Sequence, residues 1–168
     1  MRTIATSGLV LEPLVVAHAE AMFELLDDAE IYSYLDYPPP PSVDHLRDVY
    51  AKLEARASPD GSEIWLNWVV RPPHHPPVGY VQATISGRTA FVAYILGRKH
   101  WGHGYAQESM QAMLEHLASV YGVDRYLATV EADNRRSIRL LERLGFHLAT
   151  ADDLEGHSLS STERMFVK

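Results

Sequence analysis

The hydrophobic and polar positions of this chain change period several times, and each change marks an element. Leu9-Val10-Leu11 is a short apolar run closed by Pro13, which reads as a first strand. Ala19, Met22, Phe23, Leu25 and Leu26 then recur near helical spacing, predicting an amphipathic helix over 16–28. A second helical piece around Glu30 to Leu35 runs into Pro38 to Pro41, a stretch that can only be extended and forms a stiff elbow. Ser42 stands as an N-cap with Asp44 in the first turn. Leu46, Val49, Tyr50 and Leu53 mark the buried stripe of the helix that follows, reaching about Ala57.

After Ser58-Pro59-Asp60-Gly61, a turn by composition, the pattern shifts to strands. Glu63 to Val70 is rich in aromatic and β-branched residues, Val78 to Ile85 follows a proline loop, and Ser86 to Thr89 closes a hairpin into a strand over Ala90 to Leu96. Ala106, Met110, Met113, Leu114, Leu117 and Tyr121 then fall on one face of a helix ended by Gly122, and the methionines on that face read as core. Arg125 to Glu131 is a strand, and Asp133-Asn134 caps a helix from Arg135 to Leu144 that is stopped by Gly145. Phe146 opens a further strand, Ala151 to Ser161 is a loop, and Glu163 to Val167 is expected as a last edge strand. The order predicts an α/β fold with a mixed, mostly antiparallel sheet flanked by helices, in one domain over residues 1–168.

Bulk properties narrow the class. Of 168 residues, 46% are apolar and 22% charged, an ordinary globular balance, and the absence of cysteine excludes disulfides, thiolate metal sites and a cysteine nucleophile. No apolar run approaches the roughly 18 residues of a membrane span, and the first residues lack a signal-peptide core, so a cytoplasmic protein without a membrane partner is expected. The net charge of −7 is uneven: residues 1–70 hold 12 Asp/Glu against 4 Lys/Arg, and residues 71–168 hold 10 against 11. That distribution argues against a nucleic-acid partner and is compatible with one half facing a cation while the other handles an anion.

The chemistry concentrates at Trp101-Gly102-His103-Gly104-Tyr105-Ala106, between a strand and a strongly periodic helix. Two glycines let successive main-chain amides point one way, and the helix behind them adds its positive dipole end, which together make an anion cradle. A Walker-type phosphate loop needs Lys-Ser/Thr after the second glycine, where Gln107-Glu108 stands. A dinucleotide fingerprint needs a third small residue at Gln107. A pyrophosphate site built of main-chain amides remains, with Arg98, Lys99 and His103 as outer charges. No metal site is expected, because His74-His75 are adjacent in a proline loop and His100-x-x-His103 has no third ligand beside it.

A second cluster sharpens this cradle: after the strand RYLATVE come Asn134, Ser137, Leu141, Leu144, Gly145 and Phe146. Together with AYIL, WGHGYA and Glu108, and with LVLEPL near the start, it resembles the GNAT superfamily of acyl-CoA-dependent N-acetyltransferases, over nearly the whole chain. The branch it looks most like contains the ribosomal-protein N-terminal alanine acetyltransferases. The resemblance implies two central strands that splay apart around the pantetheine arm of acetyl-CoA, used as a cosubstrate. It places Tyr94, Ile95 and Leu96 along that arm, Trp101, Gly102, His103, Gly104, Tyr105 and Ala106 at the pyrophosphate, Asn134 at the pantetheine end, and a main-chain amide near Leu96 at the thioester oxygen.

The tyrosine that often protonates the departing thiolate falls at Leu141, which cannot do so, and the resemblance turns that role to Ser137. As a first-turn helix serine, Ser137 is equally suited to bonding its own backbone. A base for the amine is useful; Glu131 at the end of its strand and Glu63 at the start of another are candidates, as is water relayed to a carbonyl. Arg135 and Arg139, four apart on one face, are a solvated pair or a contact for the 3′-phosphate or adenine end of CoA. The acceptor, a small-molecule amine or a peptide N-terminus, belongs between the early helices and the sheet, with Tyr32, Tyr34, Tyr37, Trp65 and Trp68 as candidate walls. A homodimer is a candidate assembly, and a CoA-binding regulator of the same fold without turnover is the competing function.

Overall fold

The computed structural model describes residues 1–168. In chain order it contains β1 (Ile4–Ala5), β2 (Val10–Pro13), α1 (Ala19–Leu26), α2 (Val43–Leu53), β3 (Ile64–Arg71), β4 (Gly79–Ser86), β5 (Thr89–Leu96), α3 (Tyr105–Tyr121), β6 (Arg125–Glu131), α4 (Arg135–Arg143), β7 (His147–Leu148) and β8 (Glu163–Val167). Short 3₁₀ turns at Val16–His18, Ala29–Tyr32 and Arg98–His100 lead into or out of the longer pieces. The eight strands form one sheet in the order β1-β2-β3-β4-β5-β6-β8-β7. Every pairing is antiparallel except β5 with β6.

The side-chain alternation of the strands sorts the core to two faces. In β3, Leu66, Trp68 and Val70 join one cluster with Met110, Met113 and Leu117 of α3 and Leu140 and Leu141 of α4. Val69, between them, joins Met22 and Leu26 of α1, Leu46 and Tyr50 of α2, and Ile95 of β5 on the opposite face. Burial on both faces explains why this strand reads as a nearly continuous apolar run. Beyond β6 the sheet is covered by the acidic segment before β8, whose Leu154 and Leu159 pack on Leu127, Met165 and Val167.

The mixed, mostly antiparallel sheet and its flanking helices match the pattern-based expectation, with three differences. β1 escapes the pattern because two residues carry no period, yet it pairs with β2 through Ile4↔Leu11 and Ala5↔Val10. The helix expected to reach Ala57 ends at Leu53, and Arg56 turns into the left-handed region at φ 58°. The last strand is not an edge: β8 inserts between β6 and β7, where Met165, Phe166 and Val167 are all buried. The edge is the two-residue β7.

Candidate active site

Where β5 and β6 run side by side, they pair only at Thr89↔Arg125, Ala90↔Tyr126 and Phe91↔Leu127. Beyond Phe91 and Leu127 the strands part, although β5 continues to Leu96 and β6 to Glu131, each held by its other neighbour. A cleft of about 410 Å³ opens between them, lined by Val92 to Leu96 on one wall and Ala128 to Glu131 on the other. Two strand edges that leave each other present unpaired main-chain N–H and C=O groups to the gap, where an extended ligand can bond to them as a strand would.

The close approach of β4 to the end of β5 depends on Gly79. A Cβ there would stand 2.2 Å from the Ile95 carbonyl oxygen and 2.4 Å from Leu96 Cδ2, so only glycine lets the start of β4 pass this close to the end of β5. The pattern of the sequence gives no sign of this contact, because a glycine at a strand start looks like a loop residue.

At the mouth of the cleft, Gly102 and Gly104 have φ of 80° and 81°, and a Cβ at either would meet nothing within 4 Å. Their role is conformational: they bend the chain so that it enters α3 without a side-chain cap on the first amides. The Glu108 carboxylate, one turn into α3, accepts hydrogen bonds from Thr6 Oγ1 at 2.6 Å and the Gly8 N–H at 2.8 Å. That pair of bonds fixes the helix start to the turn between β1 and β2.

Trp101 binds the mouth together. Its Nε1 donates to the Leu96 carbonyl at 2.9 Å, and the Arg136 guanidinium lies 3.4 Å over its ring centroid. Arg136 and Arg143 of α4 both line the cleft, and Arg143 also donates to Gln107 at 3.2 Å. The phase of α4 is set by the buried Leu140, Leu141 and Leu144. It brings this pair to the cleft and leaves Arg135 and Arg139, the pair picked out by spacing alone, outside the lining.

Asn134 caps α4, its side-chain oxygen accepting from the Ser137 N–H at 3.1 Å, and both residues line the cleft. Ser109 in α3 donates its hydroxyl back to the Tyr105 carbonyl at 2.6 Å, the usual fate of a helical serine. The Ser137 hydroxyl instead lies beside the Tyr94 phenol: burial pushes that phenol up, and Ser137, Arg136 and Arg143 pull it down. Tyr94 therefore brings a phenol to the serine from the other wall, a position that its place in the strand pattern did not disclose.

Of the twelve site residues expected from sequence, eleven line this cleft: Tyr94, Ile95, Leu96, Trp101, Gly102, Gly104, Tyr105, Ala106, Asn134, Ser137 and Glu131. His103 does not; it is exposed, stacked on Tyr105, with Nδ1 3.0 Å from the Trp101 carbonyl. Glu131 is the one carboxylate among the lining residues. Glu63 lies elsewhere and accepts from Trp65 Nε1 at 2.9 Å. Trp68 is fully buried against α3, its Nε1 donating to the Arg2 carbonyl, and lines neither this cleft nor the second cavity described below.

The parted central strands and the bare glycine turn belong to a chain whose sequence marks it as an acyltransferase. The sequence profile of the acetyltransferase (GNAT) domain matches residues 8–147, and the chain belongs to that family. It is 27% identical over 148 residues to the uncharacterized N-acetyltransferase p20 of Bacillus licheniformis, covering 87% of this chain and 83% of that one. The fold matches RimL, a ribosomal L7/L12 alpha-N-protein acetyltransferase solved with coenzyme A, at a TM-score of 0.83 with 18% identity, covering 99% and 97% of the two chains. It also matches the spermidine N-acetyltransferase of Vibrio cholerae, solved with CoA and spermine, at a TM-score of 0.77 with 20% identity, covering 97% and 96%.

Proposed function

We propose that the protein transfers an acetyl group from acetyl-CoA directly to a primary amine, with no covalent enzyme intermediate. The parting of β5 from β6 beside the glycine turn carries this reading. Its residues fit acetyl-CoA: the open strand edges suit the amides of a pantetheine arm, Trp101 to Ala106 offer main-chain amides to the diphosphate, and Arg136 and Arg143 add positive charge. His103 contributes through its backbone. Asn134 keeps its oxygen on the α4 cap, which leaves its amide NH2 free to bond the pantetheine end.

The amine nitrogen attacks the thioester carbonyl carbon, and Glu131 accepts the proton that the nitrogen gives up. Charge gathering on the carbonyl oxygen is met by a main-chain N–H near Leu96. As the carbon–sulfur bond breaks, its electron pair stays on sulfur, and the Ser137 hydroxyl donates a proton there, recovering one from Tyr94 or solvent. A small amine and a peptide N-terminus both satisfy this chemistry. A thiol-release assay with acetyl-CoA and an amine panel tests it: amine-dependent release with an N-acetylated product is expected. Tight CoA binding without amine-dependent release would contradict it and favour a regulator.

A further inference from the structure

Beside the cleft, on the face of the sheet covered by helices α1 and α2, lies a second cavity of about 270 Å³. Four tyrosines wall it: Tyr32, Tyr37, Tyr50 of α2 and Tyr80 of β4, with Asn67 and Gln82 on the sheet side. Strand register ties it to the cleft, because Tyr80 pairs with Ile95 and Gln82 with Ala93, and Ile95 and Ala93 line the cleft. The segment 31–37 is a shared partition, giving Ile31, Tyr34 and Leu35 to the cleft and Tyr32 and Tyr37 to the cavity.

Two observations decide what fits. No Asp or Glu lines the cavity. Several carboxylates of the acidic first half are committed elsewhere, Glu12 to Arg71, Glu20 and Asp44 to Arg47, and Asp28 to Arg98. A second ammonium on a polyamine would be desolvated here with no counter-charge. The other observation is Tyr50, which is 4% exposed and whose hydroxyl has no hydrogen-bond partner. A buried hydroxyl in that state is satisfied by a ligand that brings a polar atom to it. The rings, leucines and prolines around it supply apolar contact for a flat group. The volume is at the small end for ligand pockets, which suits one ring better than a length of peptide.

We propose that this cavity receives the body of the acceptor, a primary amine whose carbon skeleton is uncharged and aromatic and carries one hydroxyl or ether oxygen for Tyr50. This rests on the acetyl-transfer function proposed above. The test compares tyramine, phenethylamine, spermidine and a serine-led tetrapeptide in the thiol-release assay, with calorimetric binding of each in the presence of CoA. Both aromatic amines are expected to exceed spermidine and the tetrapeptide in kcat/KM by roughly tenfold or more, with tyramine ahead of phenethylamine.

Tyr50→Phe should shrink the tyramine-to-phenethylamine ratio several-fold. Val49→Trp, which fills the cavity from α2, should raise KM for the aromatic amines more than for spermidine, with CoA affinity reporting that each variant is folded. A preference for spermidine or the tetrapeptide would overturn this acceptor while leaving acetyl transfer standing. Tyr50-dependent binding of tyramine with no thiol release from any amine would uphold the cavity and contradict the transfer.

Discussion

At the scale of single residues, the hydroxyl of Ser137 is the group with most at stake. It sits in the first turn of α4 beside Tyr94 rather than bonded back to its helix, so its loss should affect proton delivery to sulfur and leave the cleft intact. Ser137→Ala is expected to lower kcat by about 10²-fold or more with CoA affinity nearly unchanged, and steady-state kinetics with CoA titration separates the two. His116 illustrates a residue whose chemistry serves the fold. It is buried against Trp68 with its Nε2 unpartnered; burial, then the charges of Arg2 and the N-terminal amine, hold its pKa below the ordinary value.

The histidine is therefore neutral in the folded chain when the unfolded chain, with a pKa of about 6.5, already takes up a proton. Its stabilising contribution is complete above that pH and declines as pH falls toward its depressed folded value. His100 acts in the same direction. Urea unfolding between pH 7.5 and 5 should show falling stability, with a shallower fall in His116→Leu. The carboxylates whose pKa values are lowered, Asp60 and Asp153 among them, titrate in a separate and more acidic window.

At the scale of elements, what matters is how strands and helices are phased against one another. Gly79→Ala should destabilise by about 1–3 kcal/mol in urea unfolding, since the added Cβ has the Ile95 carbonyl in its way and neither backbone can yield cheaply. In α4, Arg136→Ala and Arg143→Ala should weaken CoA binding and flatten its salt dependence, whereas Arg135→Ala and Arg139→Ala should do neither. The sequence could show that α4 is arginine-rich but not which arginines face the cleft, because that depends on how Leu140, Leu141 and Leu144 seat on the sheet.

The same distinction runs through the rest of the chain. The glycine turn, the Asn134 cap and the long strands were legible because each has a local signature: left-handed glycines, a polar cap, a period of two. β1, the place of β8 inside the sheet and the phenol of Tyr94 beside Ser137 were not, because each is made by a pairing between segments far apart in sequence. Trp101 stands between these cases. Its place in the glycine turn was readable, but the positive charge over its ring at the mouth of the cleft comes from Arg136 on another element.

At the scale of the whole molecule, the sheet carries two adjoining hollows. The cleft opens at the parting of β5 and β6 beside α3 and α4, and the tyrosine-walled cavity lies next to it under α1 and α2, where Tyr80 and Gln82 of β4 adjoin Ile95 and Ala93 of β5. None of the carboxylates of the acidic first 70 residues lines that cavity. The central claim, that the parted strand edges and the glycine turn hold CoA, is tested most directly by amide-resolved hydrogen exchange with and without CoA. Slowed exchange is predicted at main-chain amides within Val92 to Leu96 and Gly102 to Ala106. Unchanged exchange at both segments with CoA bound, or protection confined to the cavity under α1 and α2, would contradict the account.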